Sequence, residues 1–325
     1  MSGLNLFRSL RTLAALAFIL SIAVAPPAAR SEAPRDWFLL TSHVNEKDGL
    51  HLAVSADGLK WQAVNADKPV FKRIVGEVFR DPSIARDESG VYHLVWTVGW
   101  GCGKYKGFGY CSSRDLIEWS EQRVIPVMED EPKTEFVWAP ELFRDAKNQR
   151  WMIHWGSSVA GKFPETLPLF DGHSNPRIYY TVTKDFRTFA PSELLFNPDC
   201  LAIDSFIYRA ADDRYCVFFK ADRKEAPRRG ILMATAPSAT GPYTLDPHMI
   251  TAPDEGWAEG PCVIQVGHKY RLYYGIENDF RAYESPDLKS WTLIREGWVT
   301  PGGYRHGTVI RITEQQARRL LEHKY

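Results

Sequence analysis

The sequence has no excess of charge of either sign, because 40 lysine and arginine residues stand against 40 aspartate and glutamate residues. Proteins that bind nucleic acid or an anionic membrane carry clustered positive charge that meets the phosphates. No such surplus is present, so the composition argues against both classes of partner. A neutral partner fits the charge balance better.

Cysteine is scarce and widely spaced. The five cysteines include no Cys-x-x-Cys pair and no histidine at zinc-finger distance, which argues against a structural zinc site. Cys102 and Cys111 could close one short loop in an exported protein, but the odd count leaves at least one thiol. Buried free thiols are the expected state of the rest.

Long hydrophobic runs are missing after the first 25 residues. Arg8 and Arg11 precede an apolar run over residues 12–25, which is shorter than the ~20 residues that a membrane-spanning helix needs. Basic residues, a short apolar run and small residues up to Ala29 are typical of a secretory signal peptide. We therefore predict a signal peptide over residues 1–29 and a secreted or periplasmic protein that has no membrane association after cleavage. A retained N-terminal anchor is the alternative.

What the sequence does contain is a repeat. Four times an acidic residue opens a short apolar run, a polar turn follows, and an aromatic residue closes a second run 14 or 15 residues after the acidic one. Two short strands joined by a hairpin turn fit this length. The pairs are Asp81 and Trp96, Glu141 and Trp155, Asp204 and Phe219, and Glu259 and Tyr274.

A second element follows each of these hairpins. Asp115, Asp185 and Asp287 each stand four residues before an aromatic residue, and the third repeat has a turn from Ser238 to Tyr243 instead. An aspartate in such a turn accepts hydrogen bonds from the backbone two residues on, so we interpret this element as structural. The hairpin and the second element together make four antiparallel strands, which is one blade of a β-propeller.

The fifth copy is divided between the two ends of the chain. Residues 305–312 have the pattern of an inner strand, while residues 37–41 and 52–61 supply the missing outer strands. Pairing the ends would protect strand edges that otherwise stay open to aggregation. The sequence therefore predicts an all-β fold, a five-bladed β-propeller closed by N- and C-terminal strands in one blade, with residues 30–325 as a single domain.

Charged residues coincide with the predicted inner strands. If the blades are radial, the first residue of each inner strand lies at one end of the central channel, which predicts a concave site. An isolated Asp-Pro pair is more often a turn former than a functional group. Carboxylates at equivalent positions of several blades, however, would repel one another without a purpose. The five residues are Asp81, Glu141, Asp204, Glu259 and His306.

The motifs at these positions resemble those of glycoside hydrolase family 43. The resemblance implies an inverting hydrolysis of a glycosidic bond, with Asp81 as general base, Glu259 as general acid and Asp204 raising the pKa of Glu259. It also implies one calcium ion in the central channel, held directly or through water by His306. Because calcium prefers oxygen ligands, a hydrogen-bonded histidine without metal is an equal alternative. The motifs are Arg80-Asp81-Pro82, Trp138-Ala139-Pro140-Glu141, Ile203-Asp204, Glu259-Gly260-Pro261 and His306-Gly307-Thr308-Val309, spread over about residues 36–312.

A carbohydrate partner needs flat apolar faces and hydrogen-bond donors. Trp100 and Trp138 are candidates for stacking on a sugar ring. Arg80 and Arg177 could donate hydrogen bonds to sugar hydroxyls, and Glu141 completes the predicted substrate-binding set. Loops decide the glycoside, so arabinofuranosyl, xylosyl and galactosyl linkages of plant-type polysaccharides or oligosaccharides all remain open.

Two other functions are compatible with a propeller of this kind. A catalytically silent carbohydrate-binding propeller would use the same channel mouth without needing Asp81 or Glu259. A sialidase-like propeller is suggested by residues 55–61, which resemble an Asp-box. Against it, five repeats are countable instead of six, and the predicted acidic mouth would repel an anionic sugar.

Overall fold

Short runs of β-branched and aromatic residues, separated by turns, make this chain a series of short antiparallel strands. The computed structural model describes residues 36–45, 47–166, 174–255, 257–277 and 279–325. The predicted signal peptide lies outside the described residues. The described strands form five four-stranded sheets arranged as the blades of a propeller, which confirms the predicted fold class.

The strands run in blade order along the chain. The first three strands belong to blade 5 and are β1 (Trp37–Val44), β2 (Lys47–Ser55) and β3 (Gln62–Ala63). Blade 1 holds β4 (Arg80–Arg86), β5 (Tyr92–Thr97), β6 (Gly107–Ser113) and β7 (Arg123–Pro126). Blade 2 holds β8 (Trp138–Asp145), β9 (Arg150–Ser157), β10 (Arg177–Thr183) and β11 (Glu193–Phe196). Blade 3 holds β12 (Leu201–Arg209), β13 (Tyr215–Asp222), β14 (Arg229–Ala236) and β15 (Thr244–Asp246). Blade 4 holds β16 (Ala258–Val266), β17 (Lys269–Ile276), β18 (Asp279–Ser285) and β19 (Thr292–Leu293), and β20 (Val309–Ile312) and helix α1 (Glu314–Glu322) follow.

Blade 5 joins the two ends of the chain, as the divided repeat predicted. Its strand order is β20, β1, β2, β3, and β20 pairs antiparallel with β1 from Trp37 opposite Ile312 to Leu40 opposite Val309. The inner strand is shorter than residues 305–312. Gly307 passes so close to β1 that a Cβ there would lie 1.7 Å from the carbonyl oxygen of Thr41. The segment before β20 therefore reaches the channel as a tightly packed loop.

Each inner strand of blades 1 to 4 carries a β-bulge beside the channel. At each bulge two residues of the inner strand oppose the single aromatic residue that closes the hairpin, so the pairing shifts by one. The first bulge residue has a φ between 49° and 59°, which is uncommon for a residue with a Cβ. These bulge residues are Asp81, Ala139, Asp204 and Gly260.

The bulges correct the predicted equivalence of the acidic residues. Asp81 and Asp204 stand on a bulge, whereas Glu259 precedes its bulge by one residue and Glu141 follows Ala139 by two. The acidic residues therefore do not all occupy the first position of an inner strand, and they lie at different depths along the channel.

The aspartate turns are structural, as interpreted from the sequence. Oδ1 of Asp115 accepts hydrogen bonds from the backbone N–H groups of Ile117 at 3.0 Å and Glu118 at 2.9 Å. Asp185 and Asp287 make the same pair of contacts in blades 2 and 4. These carboxylates are thus committed to turns on the outer part of the blades.

Apolar side chains between neighbouring blades hold the ring together. Five hydrophobic clusters each join residues of two adjacent blades, so burial of apolar surface closes the circle. Helix α1 adds Ala317 and Leu320 to the cluster between blades 5 and 1. No helix among the described residues is long and apolar enough to cross a membrane. All five cysteines are free thiols, with Cys102 partly exposed and the others buried.

Candidate active site

A pocket opens at the channel end where the bulges lie. Asp81, Asp204, Glu259 and His306 line it from four different blades. Aromatic residues complete its wall: Trp100, Phe136, Trp138 and Trp257. The structure thus brings together three of the four predicted carboxylates, the predicted imidazole and both predicted stacking residues.

Asp81 is fixed from two sides. The hydroxyl of Thr97 accepts a hydrogen bond from the N–H of Ala139 at 2.8 Å, so its own hydrogen points to Oδ2 of Asp81, also at 2.8 Å. The Asp81 N–H donates to Nδ1 of His43 at 3.1 Å. Burial alone would raise the pKa of Asp81, but His306, His43 and Arg80 lower it well below its usual range. Asp81 is therefore an ionised, oriented carboxylate.

His306 is the cationic partner of Asp81. Its Nδ1 lies 3.3 Å from Oδ1 of Asp81. Burial lowers the pKa of the imidazole, but Asp81, Asp204 and Glu259 together raise it to about 9. Gly260 leaves the space for this ring, because a Cβ there would lie 2.4 Å from Cγ of His306.

Glu259 is held between two cations. Lys220 Nζ donates to Oε2 at 2.8 Å, and the Arg305 guanidinium donates to Oε1 at 2.7 Å. Burial by itself would raise the pKa of Glu259, but these two cations lower it below its usual value. The expectation that the pKa of Glu259 is raised is therefore corrected, because the two cations outweigh the effect of burial.

Asp204 has the raised pKa instead. Burial raises it, and the neighbouring carboxylates of Glu259 and Asp81 add to that effect against the opposing charges of His306 and Lys220. Two neighbouring carboxyl groups in one pocket titrate as a pair. The surroundings thus shift the pKa values of Asp204 and Glu259 in opposite directions.

Glu141 is buried in the channel beneath the pocket and does not line it. Its Oε1 accepts hydrogen bonds from the hydroxyls of Ser83 at 2.8 Å and Thr308 at 3.1 Å, which links blades 1, 2 and 5. Burial raises its pKa to about 7. Glu141 accordingly joins blades inside the channel, because its position two residues after the bulge carries it away from the mouth.

Replacing Glu141 by glutamine should remove part of the pH dependence of folding. A carboxyl with a raised pKa in the fold stabilises it at low pH, and that contribution is lost as pH rises from about 4.5 to about 7. We expect the unfolding free energy of Glu141→Gln minus that of the native protein to be about 2–3 kcal/mol larger at pH 8 than at pH 5. Urea unfolding at both pH values measures this, with exposed Glu118→Gln as the control. An unchanged pH dependence would contradict the assignment.

Arg177 is not brought to the pocket. Its side chain is 0% exposed and donates to Thr166 Oγ1 at 2.7 Å, Asn175 Oδ1 at 3.0 Å and Asn197 Oδ1 at 2.6 Å. These hydrogen bonds are all made inside the protein. The predicted contact of Arg177 with sugar hydroxyls is therefore corrected: this arginine ties the segment before β10 to the loop after β11.

The predicted stacking residues differ in exposure. Trp100 is 57% exposed and supports the Arg80 guanidinium, whose Cζ lies 4.8 Å from the ring centroid. Trp138 is stacked on Phe136 with centroids 4.0 Å apart, and its Nε1 donates to the carbonyl of Gly99 at 3.1 Å. Trp100 and Trp138 meet edge to face, so they form a rigid aromatic corner.

Sequence reasoning missed several residues of the site. Lys220 is the cross-strand neighbour of Ile203, so the hairpin register would have placed it beside Asp204. Trp257 lies between the cations of Lys220 at 4.3 Å and Arg229 at 4.2 Å. His43, Thr97 and Arg305 come from other strands and loops, and no local pattern indicates them.

The surroundings of His306 do not fit a calcium ion. In the part of the chain that the structure describes, no group of three or more His, Cys, Asp and Glu side chains is placed to hold a metal. Calcium takes about six to eight oxygen ligands, whereas His306 offers a ring nitrogen, 3.3 Å from Oδ1 of Asp81. Calcium at His306 stays a prediction, and the donor atoms around His306 disfavour it.

Comparison with known proteins gives a consistent result. A family model described as a probable glycosyl hydrolase domain, related to family 43, matches residues 37–318. A thermostable family-43 glycoside hydrolase is 18% identical, with 70% of this chain and 75% of that chain covered and a TM-score of 0.52. The α-L-arabinofuranosidase of Lactobacillus brevis is 20% identical, with 66% and 72% covered and a TM-score of 0.51. The Bacillus subtilis arabinanase is 14% identical, with 71% and 81% covered and a TM-score of 0.51. At these identities the structural matches support the fold, and a comparison with curated proteins gave no match.

Proposed function

Since this chain belongs to the family of probable glycosyl hydrolase domains related to family 43, we propose that its pocket hydrolyses a glycosidic bond with inversion at the anomeric carbon. One observation carries the proposal. Carboxyl groups in a single pocket have pKa values that their surroundings shift in opposite directions, downward for Asp81 and upward for Asp204. A base and an acid set apart by their surroundings are what this reaction requires.

Asp81 acts as the base in this proposal. A water molecule placed beside it loses a proton to the carboxylate while the water oxygen bonds to the anomeric carbon. Thr97 and His306 fix the two carboxylate oxygens from the protein side. The His306 imidazolium also holds Asp81 ionised, so the base is ready before the substrate arrives.

The pair of Asp204 and Glu259 acts as the acid. As the bond from the anomeric carbon to the leaving oxygen breaks, that oxygen takes the proton that the two carboxyls share. Lys220 and Arg305 donate hydrogen bonds to the two oxygens of Glu259. The charge of Glu259 favours retention of the proton on Asp204 until the leaving group approaches.

The substrate class is proposed from the relatives and from the aromatic wall. The similar structures include an arabinofuranosidase and an arabinanase, and a further match is described as a β-1,3-galactosidase. Trp100 offers an exposed ring at the pocket mouth. We propose arabinofuranosyl, xylosyl or galactosyl linkages of plant-type polysaccharides or oligosaccharides as substrates.

A panel of nitrophenyl arabinofuranoside, xyloside and galactoside tests the function directly. Hydrolysis of one member, with inverted anomeric configuration by proton NMR immediately after turnover, would support the proposal. Retained configuration would refute inversion. Tight sugar binding without turnover of any glycoside would identify a silent binding propeller, and turnover of a sialoside alone would favour the sialidase-like alternative.

Chelation should leave this activity intact. The described part of the chain places no group of three or more His, Cys, Asp and Glu side chains that could hold a metal ion, so we expect no resident calcium ion beside His306. We expect dialysis against EDTA to change kcat by less than about twofold, measured on the best substrate of the panel, with calcium added back as the control. A loss that only calcium restores would contradict this assignment.

Export rests on the first 29 residues of the sequence. We propose that residues 1–29 are removed as a signal peptide and that the protein acts outside the cytoplasm, where polysaccharides are met. N-terminal sequencing of the protein from its native host tests this. A chain that starts at Met1 in the cytoplasm would refute it.

A further inference from the structure

We propose that this pocket prefers a glycoside that carries an anionic group, a carboxylate or a sulfate, and that Arg80 binds that group. The inference rests on the proposed function, because it names the substrate class of the same pocket. It replaces the expectation that an acidic mouth repels anionic sugars.

The carboxylates of the mouth are already neutralised. His306 stands beside Asp81, and Lys220 and Arg305 both bond Glu259, so one carboxylate has two cations. At the rim, Asp222 likewise has two partners, with the Arg228 and Arg229 guanidinium groups at 2.7 Å and 2.8 Å. The pairing of carboxylates with cations from other strands removes the repulsion that the sequence predicted.

Arg80 interacts with Asp81 only through space, without a hydrogen bond or a close ion pair. It lines the pocket next to Asp81, and among the described residues no hydrogen bond or ion pair of its guanidinium is found. Its one defined contact is the face of Trp100, at 4.8 Å. Stacking uses the flat face of a guanidinium, so the N–H donors in its plane stay available.

This arrangement favours an anion over a hydroxyl. A guanidinium presents a planar fork that matches two oxygens of a carboxylate or sulfate, and such charge-assisted bonds are about twice as strong as neutral ones. Trp100 holds the fork in place, which reduces the entropy lost on binding. An acidic substituent on the sugar would supply the hydrogen-bonded counter-charge that the described residues do not give to Arg80.

Calorimetric titration of the full protein tests the preference without any need for turnover. The probes are matched sugars that differ in one group: D-galactose, D-galacturonate and D-galactose 6-sulfate, and D-xylose with D-glucuronate. We expect an acidic member to bind at least about 10-fold more tightly than its neutral partner at low salt, and less so at high salt. Comparison of galacturonate with the 6-sulfate distinguishes the two anions.

Arg80→Gln should abolish this preference, while Arg80→Lys, which keeps the charge without the fork, should retain part of it. The control is Arg214→Gln, which removes a partly exposed arginine from the β12–β13 turn and should keep the preference. Equal binding of acidic and neutral partners in the native protein would overturn the inference, as would a preference that survives in Arg80→Gln. Hydrolysis of neutral glycosides without tighter binding of acidic sugars would refute this inference but leave the proposed function intact. Tighter binding of acidic sugars without hydrolysis of any glycoside would refute the proposed function but leave this inference intact.

Discussion

The Asp81→Asn variant is expected to lose at least about 10²-fold in kcat, the usual scale for removal of a positioned base. An asparagine oxygen can still accept the hydrogen bond from Thr97, so the bulge should keep its shape. Asparagine cannot take up a proton from water, however. The loss should therefore be equal for substrates with good and poor leaving groups, measured by initial rates on a nitrophenyl and an alkyl glycoside of the same sugar.

Two controls separate a lost base from a damaged fold. Asp212→Asn changes an exposed aspartate in the β12–β13 turn and should keep the native rate. Azide is a nucleophile that needs no base, so it should restore turnover to Asp81→Asn as a glycosyl azide of inverted configuration. An Asp81→Asn enzyme that stays within about 10-fold of the native rate would disprove the assignment.

The second large effect is expected at the acid pair. Asp204→Asn and Glu259→Gln should each lower kcat for an alkyl glycoside by at least about 10²-fold, because the leaving oxygen then lacks its proton. Both variants should lose much less on a nitrophenyl glycoside, whose leaving group departs without protonation. The ratio of the two rates, measured for each variant, is the decisive quantity.

The ratio also decides between a shared proton and a single donor. If only Glu259→Gln loses more rate on the alkyl than on the nitrophenyl glycoside, Glu259 is the single donor. Asp204 then only changes the pKa of Glu259, and the assignment of a shared proton is wrong. If neither variant distinguishes them, the proton comes from elsewhere. The matched control is Glu284→Gln on β18, which removes a carboxylate bound by Lys269 and Arg271 away from the pocket.

The fold could be predicted because repetition is visible in a single sequence. Four hairpins of nearly equal length and a fifth divided between the chain ends determine the blade count before any contact is known. The bulges could not be predicted in the same way. Counting from Asp81 to Trp96 and from Glu141 to Trp155 gives almost equal lengths, yet the first residue stands on a bulge and the second stands beyond one.

The charge state of the site depends on contacts between distant segments. Lys220 and Arg305 lie 39 and 46 residues from Glu259 in the sequence, so no local motif predicts their contacts with it. Arg177 illustrates the opposite error. Its five N–H donors suited sugar hydroxyls, but nearby amide and hydroxyl oxygens turn the side chain inward.

The pairing of β20 with β1 also sets the moment at which the enzyme can become active. Arg305 and His306 lie directly before β20, in the last part of the propeller to leave the ribosome. Until this strand docks on β1, Asp81 lacks its imidazolium and Glu259 lacks one of its two cations. A chain whose ring is still open therefore lacks both of these cations at the pocket, so we expect the catalytic site to be completed only when β20 closes the ring.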